Sequence, residues 1–311
     1  MSDSILPGFR AQKIQVPTIP YDGLKGEKGK PYVANKHLVH AANTALVLGM
    51  PLLITGEPGC GKSDFAWVVA RALKHDHPLT CYVRSDTRAR DLLYHYDALR
   101  RFGDAQAKQE ARAADPRNYI QLQPLGRALA EPFDILAADA QGGPAKYRPK
   151  VVLIDEIDKA PRDLPNDLLQ ELDRKQFEIP EIAEQDDRDE QDRVRDLPSK
   201  IPLHREMRRF PEVRDPAKRA LNKDIPSPFV IITSNAERHL PEPFLRRCVF
   251  FQIPPPAEKE LIEIAEKYFA ADRDGKLKLR TLLPKIVVTL RNSKNIAKKP
   301  STVEMLRWIP L

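Results

Sequence analysis

An α/β fold built on a parallel sheet, with helices on both faces, is predicted by three observations on this 311-residue chain. Five short runs are continuously apolar, the pattern of strands buried on both faces. Stretches of helical period lie between them. A glycine-rich turn, GEPGCGKS at residues 56–63, joins the first run to a helix.

Taken in order, residues 1–34 form an N-terminal arm, rich in Pro, Gly and Lys and without a clear period. A helix begins at Asn35, with Leu38, Val39, Ala42, Ala45, Leu46 and Leu48 along one side, and Gly49 ends it as a left-handed cap does. The five strands are the runs PLLIT (51–55), TCYVR (80–84), VVLI (151–154), FVIIT (229–233) and CVFFQI (248–253). Helices are predicted over 62–74 and about 164–173, with one or two more within 86–147. Two connections are long. Residues 86–147 read as helix plus an inserted excursion, and residues 180–226, dense in charge, read as a mobile loop rather than a packed subdomain. Three consecutive prolines at 254–256 close a core that spans 35–253. Beyond them, residues 254–311 carry an amphipathic helix over 258–269 (Leu261, Ile262, Ile264, Ala265, Phe269) and an apolar segment at 282–290.

Composition bounds the class. The length suits about two domains, and 41% hydrophobic residues can build a substantial core. A mean hydropathy of −0.49 and the lack of any apolar run near ~18–20 residues exclude an integral membrane protein. The start, MSDSILPGFRAQ, lacks a secretory pattern, so a cytoplasmic location is expected. Three scattered cysteines, Cys60, Cys81 and Cys248, exclude a disulfide scaffold and a Cys-rich zinc site. The net charge of +7 and pI of about 9.2 raise the question of nucleic acid. Ten Lys or Arg against two acids in residues 273–311 put +8 there and leave the rest at −1, so the question is local to the C-terminal segment.

The chemistry is carried by four motifs. Gly56-Glu57-Pro58-Gly59-Cys60-Gly61-Lys62-Ser63 fits G-x-x-x-x-G-K-[ST] between a strand and a helix. The glycines let backbone N–H groups close around phosphate oxygens, and the helix start adds its positive dipole end. Lys62 can reach the β and γ phosphates and the Ser63 hydroxyl can ligate Mg2+; Asp64 follows in the first helical turn and is counted with the nucleotide-binding residues. In VVLIDE, four apolar residues place Asp155 at the carboxyl end of a buried strand, where it can hold the Mg2+ through water, and Glu156 can deprotonate the attacking water. At Thr233-Ser234-Asn235 two readings stand level: Asn235 hydrogen-bonds the water and a γ-phosphate oxygen, or it caps a helix. In LPEPFLRR, Arg246 and Arg247 read either as a finger that stabilises a neighbouring subunit's phosphate or as a surface pair.

The order of these motifs resembles that of an AAA+ ATPase, and more narrowly the MoxR-like group of the helix-2-insert clade. The matching segments are GEPGCGKS, VVLIDEIDKAP, DLLQELDRKQFEIPE, IITSN and LPEPFLRRCVFF. The resemblance implies an αβα P-loop NTPase core with strands ordered 5-1-4-3-2, a small α-helical lid, whether complete or incomplete in this chain being left open, and a homo-oligomeric ring, usually a hexamer. It implies ATP hydrolysis that remodels a protein client, with von Willebrand A-domain proteins as the client class. It places Lys62 and Ser63 in the phosphate loop, Asp155 and Glu156 in the acidic motif, Asn235 at sensor one and Arg247 at the finger, with Arg246 as its understudy. LLYHYDALRRF (92–102) falls where the insert would lie. Asp158 stands where many relatives have Asn. No Arg-bearing sensor-two motif is visible in KKPSTVE, where Lys299 is the candidate.

Rival readings are a nucleic-acid motor or restriction-type GTPase, against which no appended DNA-reading motif is found, and a low-turnover scaffold, against which Glu156 stands. Cys60 is read as a small loop filler before a redox switch, His75 and His77 as a polar helix end, Tyr94 and Tyr96 as half-buried packing, and Trp67 as core. The charge run 186–196 is read as a solvated loop.

Overall fold

The computed structural model describes residues 17–107, 109–131, 133–136, 146–175, 177–182, 200–201, 227–269, 277–293 and 299–308. Five parallel strands form the central sheet: β1 (Leu52–Thr55), β2 (Leu79–Tyr82), β3 (Val151–Asp155), β4 (Phe229–Ser234) and β5 (Val249–Gln252). Their order across the sheet is β5-β1-β4-β3-β2, the order expected from the resemblance. In register, Leu53 lies beside Ile232 and Phe250, Ile232 beside Ile154, and Cys81 beside Ile154.

The pleat sends alternate residues to opposite faces, and both faces are covered. Leu52, Ile54, Val151, Leu153, Phe229 and Ile231 share one core with α1 (Lys36–Leu48) and α2 (Lys62–Ala72). Leu53, Val152, Ile154, Val230 and Ile232 share the other with α3 (Ala89–Leu93), α6 (Pro124–Ala130) and α7 (Leu164–Arg174), helices of the segments between β2 and β4. Burial on both faces is why these runs are continuous in the sequence. Asn35 caps α1 by accepting the His37 N–H at 2.9 Å, and Gly49 ends it in the left-handed region at φ 64.

The excursion after β2 has a definite form. α3 leads into a strand, Tyr94–Tyr96, that pairs antiparallel with Ile120–Leu122. Between these strands lie α4 (Ala98–Gln106) and α5 (Glu110–Ala113). At its base α3 and α6 meet backbone to backbone: a Cβ on Gly126 would fall 1.8 Å from the Leu93 carbonyl oxygen, so any side chain there forces them apart. Tyr94 is buried, stacks on Phe177 and donates to Glu181 at 2.8 Å; Tyr96 is half-buried and accepts from Arg101 at 2.9 Å, so packing is their use. A second hairpin pairs Phe133–Leu136 with Lys146–Pro149. Of the 180–226 connection, Lys200–Ile201 pair with Phe177–Glu178, while the charge run 186–196 lies outside the described residues.

A short helix, α8 (Glu242–Leu245), precedes β5, and α9 (Glu258–Tyr268), α10 (Leu277–Asn292) and α11 (Thr302–Trp308) follow it. Leu261, Ala265, Val287 and Met305 give these last three helices a small core of their own. The N-terminal arm is not loose where it is described: Ile19 and Leu24 are buried in the α1–α2 core. Trp67, expected in the core, is half-buried with its ring 6.4 Å from that of His77. No described helix is long and apolar enough to cross a membrane.

Candidate functional site

The site lies at the carboxyl ends of β1, β3 and β4, which the parallel sheet brings to one edge. Residues 56–61 turn from β1 into α2, with positive φ at Gly56, Gly59 and Gly61. Gly61 needs to be glycine on two counts: its φ is 93, and a Cβ would stand 3.2 Å from the Tyr32 ring. The 11-residue helix α2 starts at Lys62, so its first amides face the turn. Lys62 is 6% exposed and folds back, its Nζ donating to the carbonyls of Gly56 (2.8 Å) and Glu57 (3.0 Å).

The neighbouring strand ends form one network. Ser63 Oγ and Thr233 Oγ1 both donate to Asp155 Oδ1, each at 2.6 Å. The Glu156 N–H donates to Thr233 Oγ1 at 2.9 Å, and Asn235 Nδ2 donates to Glu156 Oε1 at 3.2 Å. The other Glu156 oxygen pairs with Lys159. The Lys159 hydrogen bond, with help from Asn235, holds the Glu156 carboxyl below the usual range, so it is ionised at neutral pH. Asn235 caps no helix: bends follow it at 236–238, and the next helix, α8, begins at Glu242.

The remaining predicted residues are placed as follows. Pro58 and Glu57 belong to the turn itself. Asp64 faces the arm, its Oδ1 accepting the Glu27 N–H at 2.6 Å, and burial raises its pKa. The Cys60 thiol is raised by burial, which outweighs the nearby Lys62; its Sγ lies 3.0 Å from where a Gly56 Cβ would be. It fills the turn, and a thiolate there is disfavoured. Arg247 Nε pairs with Asp173 on α7 at 2.5 Å, and Arg246 pairs with Glu242 one helical turn back. Lys299 is exposed.

Three features were not read from the sequence. The first is Thr233, fully buried, which links both acids. The second is the lid contact: Ser301 Oγ would lie 2.9 Å from a Gly59 Cβ, and Arg291, lowered in pKa by burial, bonds Pro300 O at 2.9 Å and Thr302 Oγ1 at 3.4 Å. The segment that reaches the turn is therefore Ser301-Thr302, with Arg291 behind it. The third is a cavity of about 430 Å3 beside Cys60, walled by Tyr32 from the arm, Ile253 and Pro256 after β5, and Ile264 on α9. The Tyr32 hydroxyl donates to Gly61 O at 3.0 Å, and Lys30 packs over the Tyr268 ring at 4.6 Å, so the arm touches both turn and lid. An arm without period gives no sequence signal for such contacts.

A strand–GEPGCGKS–helix unit at the carboxyl edge of a β5-β1-β4-β3-β2 parallel sheet, facing an acidic strand end, defines a P-loop nucleotide-binding protein of α/β class. Its family follows from the sequence match: the chain belongs to the AAA domain family, dynein-related subfamily, whose model matches residues 51–248. No curated protein matched significantly. Among solved structures, one described as a candidate ATPase from Cytophaga hutchinsonii is 12% identical, with a TM-score of 0.37; the match covers 88% of this chain and 61% of that one. That likeness is too distant to bear on activity.

Proposed function

We propose that the chain is an Mg2+-dependent ATPase of the MoxR-like AAA+ group, working as a homo-oligomeric ring that remodels a protein client. The observation that carries the hydrolytic reading is the unbroken hydrogen-bond chain Ser63–Asp155–Thr233–Glu156–Asn235, with no link longer than 3.2 Å. It joins a phosphate-loop hydroxyl to a carboxylate base and a carboxamide.

In this reading Lys62 exchanges the Gly56 and Glu57 carbonyls for phosphate oxygens. Glu156, already ionised, takes a proton from water as the water oxygen bonds the terminal phosphorus and the bond to the bridging oxygen breaks. Asn235 orients that water. Among the described residues no group of three His, Cys, Asp or Glu could hold a metal by itself. One hydroxyl and one carboxylate in contact suit Mg2+, which keeps its waters and shares phosphate oxygens; Ser63 and Asp155 would hold it, and when bound it neutralises phosphate charge. The cavity beside Cys60 has the size for a base and ribose, and adenine is the proposed base. Arg247 completes a neighbour's site by leaving Asp173, and Arg246 is its alternate. Lys299 is kept as a lid cation for the same phosphates. A protein carrying a von Willebrand A-type domain is the proposed client.

Glu156→Gln tests the assignment. It is expected to bind ATP with wild-type affinity and to lose hydrolysis; retained turnover refutes the base. Affinity capture with this variant in ATP then identifies the client.

A further inference from the structure

The acidic motif holds a third acid, Asp158, to which the hydrolytic reading gives no task. It sits in the short 3-10 turn Ile157–Lys159 directly after Glu156 and is 3% exposed. A carboxylate so buried is costly unless it accepts hydrogen bonds. Its Oδ2 accepts two, from the backbone N–H of Asn235 and of Glu237, each at 3.0 Å, and its Oδ1 is buried without a partner among the described residues.

Those two donors flank Ala236, whose φ is 60. A left-handed alanine is unfavourable because its Cβ crowds the carbonyl oxygen, and such a residue persists only where its surroundings hold it there. Ser234 Oγ holds one side of the turn, accepting the Ala236 N–H at 3.0 Å. Asp158 holds the other. The same turn carries the Asn235 carboxamide to Glu156, which is itself left-handed at φ 59. An unfavourable backbone position thus lies at Glu156 and another next to Asn235, the two residues that this hydrogen bond joins, and Asp158, two residues from the first, is hydrogen-bonded around the second.

We propose that Asp158 is a positioning residue: by accepting the Asn235 and Glu237 amides it holds the turn after β4 so that Asn235 stays on Glu156. The proposal rests on the hydrolytic roles given above to Glu156 and Asn235. The task calls for an acceptor and not for a charge, because both partners are neutral N–H groups. Asparagine can therefore stand in, its amide oxygen taking both N–H groups and its nitrogen replacing the oxygen that has no partner.

The test is steady-state ATP turnover and ATP affinity of the full chain as wild type, E156Q, N235A, D158A, D158N and D158A/N235A. Misplacement of a catalytic group costs up to about 100-fold. D158A is expected to lower kcat by about 10-fold to 100-fold with KM and ATP affinity within about twofold. D158N is expected to restore kcat to within about threefold, and the double variant to lie within about twofold of N235A alone, because the two residues act as one unit. Wild-type kcat in D158A, a D158N as slow as D158A, or a double variant that loses the product of the single losses would each overturn the proposal. Should D158A not fold, D158E replaces it, keeping the charge but displacing the oxygens by one methylene, with the same loss expected and the same outcomes against it. Wild-type turnover in E156Q and N235A would remove the hydrolytic reading itself, and the proposal with it, whatever the Asp158 variants do.

Discussion

Replacing Thr233 by valine keeps the side-chain shape and removes one hydroxyl. That hydroxyl is fully buried, donates to Asp155 Oδ1 at 2.6 Å and accepts the Glu156 N–H at 2.9 Å. Two losses follow. A hydrogen bond to a charged group contributes about 1.5–3 kcal/mol, and an orphaned buried donor costs about 1–3 kcal/mol. Ser63 still donates to the same Asp155 oxygen, so the first loss belongs at the lower end, and the two together come to about 3–4 kcal/mol. Measured against a typical domain stability of about 5–15 kcal/mol, that is a large shift. Activity should fall as well, because Glu156, at φ 59, loses the hydroxyl that holds its amide. A displaced base costs up to about 100-fold in turnover. Denaturant unfolding followed by tryptophan fluorescence, with ATP turnover on the folded protein, measures both. Thr233→Ser keeps the hydroxyl and should recover most of each. A valine variant as stable and as active as wild type refutes the network as the organiser of this edge.

Two further outcomes are expected. Lys159→Ala removes the main cause of the low Glu156 pKa, so the folded-state value rises toward the ordinary carboxylate range; turnover needs the ionised form, so the acid limb of the kcat–pH profile should move to higher pH, and an unmoved limb counts against the pair. Arg247→Ala should be inactive alone yet partly restored by mixing with Lys62→Ala, since under the proposed ring each variant would bring what a site shared with the other lacks; absence of rescue at every mixing ratio counts against the finger.

The sheet was legible because burial on both faces leaves a mark in its three central strands: VVLI, FVIIT and LLIT are buried almost throughout, and such runs at βα spacing leave few topologies. The phosphate loop was legible because its task restricts residue type, with glycine where φ is positive and Lys-Ser where a helix begins. Asn235 needed the structure, since a polar residue at a strand end reads equally as a cap until the bends at 236–238 are seen. Thr233 and Asp158 were hidden for a related reason. Each lies in an unremarkable local sequence and acquires its partner 77 or 78 positions away, where β3 and β4 run side by side. The lid contact was hidden too, because Ser301 reaches Gly59 only through the packing of three helices on their own small core. By itself the sequence determined which segments are the central strands and where the glycine-rich strand–turn–helix unit lies, since local backbone and burial requirements select residue types directly. Which polar groups meet across that edge was decided by tertiary structure alone, because a hydrogen bond between distant strands depends on register and not on the identity of either neighbour in the chain.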